Sequence, residues 1–145
     1  MTLGQFVAFL AACSILAAVA AAMARTPRIR LRVADDVLEL RLGLVDALFA
    51  LRRSITVAIH DVTAVLVQPH VTDPPSIRFP GTSLPGLIHA GAYRIGDDEE
   101  FWNVRRARVF LAVHLAHGAP YRKLVLEVDD PRRAAADLRE RLQLA

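Results

Sequence analysis

The chain has 145 residues and a mass of 15.9 kDa, with 54% hydrophobic and 23% charged residues. This fits one ordinary folded domain and excludes general disorder. A single cysteine excludes a disulfide framework and a zinc site built on several thiolates.

The net charge of +3 is unevenly placed. Residues 1–24 carry no charged side chain, and residues 25–32 carry Arg25, Arg28, Arg30 and Arg32 and no acid. Residues 33–145 hold the remaining 14 bases against 15 acids. The high isoelectric point therefore belongs to one short stretch. A nucleic-acid binder carries its basic face on the folded domain, and this domain is balanced, so nucleic acid is not an expected partner.

Phe6 to Ala24 is a run of 19 uncharged residues. As a helix it spans roughly 28 Å, close to the hydrocarbon core of a bilayer. A signal peptide is the rival reading, since Ala22-Met23-Ala24 resembles a cleavage site. A signal peptide starts with a basic region and has a shorter apolar core, and neither holds here. The sequence therefore predicts an uncleaved single-pass anchor, with the bilayer as partner through residues 6–24. Four arginines follow the span and none precedes it, which predicts an outside N-terminus and a cytoplasmic C-terminal domain at the cell membrane. Ala11, Ala18 and Ala21–Ala22 form a stripe of small residues, but the segment holds nine alanines. The stripe does not support a homo-oligomer by itself. The chain divides into a transmembrane helix over 1–24, a basic juxtamembrane segment over 25–32 running into the first strand, and a cytoplasmic domain over 33–145.

Arg28 to Val33 and Val37 to Leu42 alternate with period two, as half-buried strands do. A short turn at Ala34-Asp35 predicts a hairpin pairing Arg32 with Val37, Arg30 with Glu39, Ile29 with Leu40 and Leu31 with Leu38. Leu44 to Leu51 carries Leu44, Val45, Leu48 and Phe49 at helical spacing, which predicts a short helix after Gly43. Ser54 to Ile59 and Val62 to Val67 read as strands, with Ile55, Val57 and Ile59 buried. Gln68 to Gly86 contains five of the eight prolines and reads as a long loop. Leu87 to Arg94 is the next strand, Asp97-Asp98-Glu99-Glu100 an acidic turn, and Phe101 to Val104 a strand after it. Arg108 to Leu115 and Arg122 to Val128 predict a hairpin pairing Val113 with Leu124, Leu111 with Leu126 and Val109 with Val128. Those six form the inner face, and Phe110, Ala112, His114, Lys123, Val125 and Glu127 face outward. Asp130 is a helix N-cap and Pro131 suits the first helical position. Ala134, Leu138 and Leu142 then give the last helix one apolar stripe.

Several segments carry a family resemblance. RSITVAIHDVTAV, RFPGTSLPGLIHAGAYR, FWNVRR and GAPYRKLVLEVDDP resemble bacterial PH-like domain proteins, many of them actinobacterial, over roughly residues 30–143. The resemblance implies a mainly β fold: a PH-like barrel of about seven strands plus a C-terminal α-helix, here preceded by one transmembrane helix. It implies no catalytic activity. Phosphoinositide-binding PH domains hold the headgroup with basic residues around the first hairpin loop. Here that loop is Ala34-Asp35-Asp36, which disfavours specific inositide recognition.

Motifs for chemistry are missing. His60, His70, His89, His114 and His117 lack metal-site spacing. No nucleophile elbow, P-loop or dinucleotide fingerprint is present, and the acidic stretch lacks the spacing of a calcium loop. The chain is not expected to be an enzyme or to hold a metal or cofactor. Two segments are candidate partner contacts. One is Arg78, Phe79, Leu84 and Leu87 amid prolines and glycines; the other is Arg105, Arg106 and Arg108, since arginine suits carboxylate or phosphate. Arg25, Arg28, Arg30 and Arg32 are candidate membrane-surface contacts. The expected function is a membrane-anchored, non-enzymatic interaction module for a protein partner. The alternatives are an anionic-lipid surface sensor and an accessory subunit of a membrane enzyme or transporter.

Overall fold

The computed structural model describes residues 2–24, 29–69, 77–84, 88–105 and 108–144, with backbone alone for Met23, Ile77–Leu84 and Ile88. Helix α1 (Leu3–Met23) is apolar on all sides, and its span Leu3–Ala22, exposed except for half-buried Ala22, is long and apolar enough to cross a membrane. Its start is fixed by a reciprocal cap. Gln5 N–H donates to Thr2 Oγ1 and Thr2 N–H donates to Gln5 Oε1. Cys13 is exposed on the helix, and Ser14 Oγ donates back to the Leu10 carbonyl.

The described strands form two sheets rather than one closed barrel. The small sheet has the order β1 (Ile29–Ala34), β2 (Val37–Leu42), β3 (Ser54–Ala58). Its hairpin turns at Asp35-Asp36, with Asp35 in the left-handed region at φ 49°. Aspartate tolerates that conformation. The pairing is Ile29 with Leu42, Leu31 with Leu40 and Arg32 with Glu39, a slip of two residues from the sequence-based register. Because side chains alternate with period two, a slip of two leaves every residue on its expected face.

Between β2 and β3 lies helix α2 (Leu44–Ala50), where the sequence places a helix. Of the four apolar residues at helical spacing, only Phe49 packs partly against the core. Asp46, Ala47 and Ala50 are buried, while Leu44, Val45 and Leu48 are exposed.

A short 3-10 turn, Ile59–Asp61, leads from β3 into the large sheet. Its strands are β4 (Val62–Pro69), β5 (Ile77–Leu84), β6 (Ile88–Ile95), β7 (Asp98–Val104), β8 (Val109–Leu115) and β9 (Lys123–Leu126), in the spatial order β4-β8-β9-β7-β6-β5. Strand β5 corrects the long-loop reading of Gln68 to Gly86. It is an edge strand, where Pro80 removes no bond from a second neighbour, and its pairing with β6 is irregular between Arg78 and Gly81. The flanking residues 70–76 and 85–87, with His70 and Leu87, lie outside the described residues.

The acidic stretch is mostly strand. Asp98 opens β7, Glu99 pairs with Arg94 at 3.1 Å, and Glu100 accepts from Trp102 Nε1 at 2.9 Å. The turn before it sits at Gly96-Asp97, where Gly96 takes a φ of 60°.

One core lies between the two sheets. Leu38, Leu40, Ile55 and Val57 from the small sheet meet Val65, Phe101, Leu111, Val113, Leu124 and Leu126 from the large one. The pairs Val113 with Leu124 and Leu111 with Leu126 are as expected, and Val109 pairs instead with Pro69 of β4.

The opposite face of the large sheet differs from the sequence reading. Phe110, Ala112, Val125 and Glu127 are buried, and Phe110 and Val125 join Tyr93, Trp102 and Val104 in a second, smaller core. Tyr93 and Trp102 meet edge to face at 6.3 Å. A face that is solvated in a lone hairpin is covered here because β9 pairs in parallel with β7, which brings the aromatic residues of β6 and β7 alongside.

Helix α3 (Pro131–Leu142) begins as expected, with Arg133 N–H donating to the Asp130 carboxylate at 3.0 Å. It packs on β4 and β8 and buries Ala135 and Leu138. Ala134 and Leu142 are half-buried partners of the same core. Arg139 Nε donates to the Val65 carbonyl at 2.8 Å, so α3 also covers part of the outer edge of β4. Leu138→Ala is expected to cost about 2–5 kcal/mol in chemical denaturation. An unchanged unfolding midpoint would show that α3 does not cover the core.

Candidate functional site

Two features of the fold bear on function. The first is a groove beside β1. This strand is one of the two outer strands of the small sheet. Ile29, Leu31 and Val33 are half-buried on one face, and Arg30 and Arg32 are exposed on the other. The apolar face looks across a groove of about 290 Å³ toward Val128, Ala134 and Leu138. Asp130, Arg133, Asp137 and Arg141 stand along its rim. Their spacing of three, four and four residues places alternating charges on one line at the start and along the side of α3. The groove thus combines an apolar floor, a strand edge and a rim bearing both signs of charge.

The second feature is a buried polar node around Arg105. Its guanidinium Nη2 donates to Asp46 Oδ1 at 2.6 Å, and both side chains are almost fully buried. Nη1 donates to the Ala22 carbonyl at 2.7 Å, in the last turn of α1. That turn has no basic residue of its own, so a residue 83 positions away supplies the cation that a helix C-terminus favours. The Arg105 backbone N–H donates to the buried Glu127 carboxylate at 2.5 Å, and Glu127 N–H donates to the Asn103 carbonyl. The guanidinium also lies over the Phe49 ring. Arg105 is therefore a structural clamp and not the solvated contact suggested by its place between two strands.

The remaining candidates are scattered. Arg108 is exposed, and Arg106 lies outside the described residues. Arg25 and Arg28 also lie outside them, whereas Arg30 and Arg32 are exposed on β1. Arg78, Phe79 and Leu84 lie on β5, the edge strand of the large sheet, with no side-chain placement described, and Leu87 lies outside the described residues. Among the described residues, Arg30 and Arg32 share the exposed face of β1, whereas Arg105 is buried and Arg108 exposed. The groove went unread because its two walls come from opposite ends of the domain. The one signal in the sequence was the alternating charge on the last helix.

A further cleft lies at the turn end of β8 and β9, lined by Thr63, Glu100, His114, His117, Arg122 and Lys123 among others. Burial, above all, holds the His114 imidazole below its ordinary pKa; Lys123 and Arg122 add to this and Glu100 opposes it. Protonation of His114 is thus harder in the folded than in the unfolded chain. Its contribution to stability is complete above the ordinary histidine pKa and is lost as pH falls below it toward the folded value. His114→Gln is expected to flatten the fall in melting temperature between neutral pH and about pH 5. Identical pH profiles for the two proteins would remove His114 from this role. Among the described residues, no group of three His, Cys, Asp or Glu side chains is placed to hold a metal ion.

No family model, no curated protein and no solved structure matches the chain.

Proposed function

We propose that the protein is a membrane-anchored, non-enzymatic interaction module that holds an extended segment of a protein partner in the groove between β1 and α3. The observation that carries this reading is that β1 has no second strand partner among the described residues and lies beside an apolar groove. A strand edge offers unpaired backbone groups, and an added strand gains main-chain hydrogen bonds while its alternate side chains fill the groove. The charged rim on α3 would set the register of a peptide carrying both signs.

Retention of α1 is part of the same proposal. Arg105 holds the carbonyl end of the apolar helix from inside the folded domain, a contact that cleavage after Ala24 would discard. The four arginines after the span favour a cytoplasmic domain and an outside N-terminus. A two-sheet β domain with a C-terminal helix over its core is compatible with a distant PH-like relationship.

The test uses the full chain in detergent or nanodiscs with a display library of extended peptides. A selected peptide is expected to slow amide exchange along Ile29–Ala34 and to lose affinity with Arg133→Glu/Arg141→Glu. Binding that leaves both unaffected would reject the groove. Turnover of a defined substrate by the purified protein would reject the non-enzymatic reading.

A further inference from the structure

Helix α2 is built the wrong way round for a soluble domain. Leu44 is 79% exposed, Leu48 70% and Leu51 64%. They lie at i, i+4 and i+7, one continuous stripe. The helix turns its short residues, Ala47 and Ala50, and its one acid, Asp46, inward. Leu51 ends α2 in the left-handed conformation at φ 54°, with Arg52 N–H closing back on the Ala47 carbonyl. Glycine or asparagine is the usual occupant of that position. A large exposed apolar side chain has been placed where the backbone resists it.

The position of α2 says what the stripe meets. Asp46 of α2 holds Arg105, and Arg105 holds the carbonyl of Ala22, the last residue of the apolar span. One buried guanidinium therefore fixes α2 beside the end of α1, at the level where a spanning helix leaves the hydrocarbon. Arg52 and Arg53 follow the stripe directly and are exposed. Leucines at the acyl boundary with arginines at headgroup level are the composition of a helix that lies in the membrane interface.

We infer that α2 is an interfacial foot. Leu44, Leu48 and Leu51 sit in the acyl–headgroup boundary of the same anionic bilayer that α1 crosses, and the Asp46–Arg105 clamp sets the pose of the β domain on it. This inference rests on α1 being a retained span.

The test uses the full chain carrying Cys13→Ser, with a single fluorophore-labelled cysteine introduced by Leu48→Cys or, as a control on exposed α3, by Ala136→Cys. The protein is reconstituted in phosphatidylcholine–phosphatidylglycerol vesicles. The label at 48 is expected to be quenched several-fold more by nitroxide lipids, and less by aqueous iodide, than the label at 136. Adding Leu44→Ser/Leu51→Gly is expected to bring the two labels together, with the emission of buried Trp102 unchanged. Equal iodide access at both positions would overturn the foot. So would shielding from iodide without nitroxide quenching, which would place protein, such as a second copy, over α2. Alkaline carbonate extraction separates the two levels. Release of the chain would overturn the anchor itself, whereas a retained chain with an iodide-accessible label would overturn the foot alone.

Discussion

Asp46→Ala is expected to destabilise the fold by about 3–5 kcal/mol, the cost of leaving one charge of a buried pair without its partner. The Asp46 and Arg105 side chains are 4% and 3% exposed, so water cannot replace the lost carboxylate. A small domain has only about 5–15 kcal/mol to lose, so the effect is a large part of the total. The pair also joins three elements that are remote in sequence: the end of α1, α2 and the strand end after β7. Removing the charge of both partners, Asp46→Asn with Arg105→Met, is expected to recover only part of the loss, because the buried Glu127 carboxylate beside residue 105 remains. The single tryptophan, Trp102, is buried in the second core and reports unfolding of the full chain in detergent. A loss below 1 kcal/mol for Asp46→Ala would show that the pair is solvated, and the clamp on α1 would fall with it.

Phe101→Ala is the largest expected loss in the apolar core, about 3–5 kcal/mol. Phe101 is fully buried at the middle of β7, which pairs with β6 on one side and β9 on the other. Its ring meets Tyr121 edge to face at 6.0 Å. Removing the ring leaves a cavity bounded by backbone hydrogen-bonded on both sides, so little collapse can fill it. Ile95→Ala provides the contrast. Ile95 closes the neighbouring strand β6 with its side chain well exposed, and its loss is expected to stay within about 0.5 kcal/mol. Far-UV circular dichroism in a urea series measures both. Similar losses for the two variants would contradict the placement of the core.

The local elements were legible because their signals are local. The uncharged run over Phe6–Ala24, the alternation in β1, β2 and β3, and the Asp130-Pro131 start of α3 each express a period or a cap that needs no distant partner. The register of β8 on β9 followed from matching their faces, and the first hairpin kept its faces despite a slip of two residues. Strand β5 was hidden by its prolines, which an edge strand tolerates and an isolated sequence window does not explain.

By itself the sequence determined the apolar N-terminal helix, the β-rich character of the rest, the C-terminal helix and the near-neutral charge of the domain. The tertiary structure decided everything that depends on which strands become neighbours. The parallel pairing of β7 with β9 buried a face that alternation alone assigns to water. The packing of α2 turned its leucines outward, a facing that helical spacing alone does not assign. The same fold took Arg105 from an apparent surface cluster and set it between Asp46 and the end of α1. Periodicity shows that one face of an element differs from the other, and only the arrangement of the neighbours fixes which face is covered and by what.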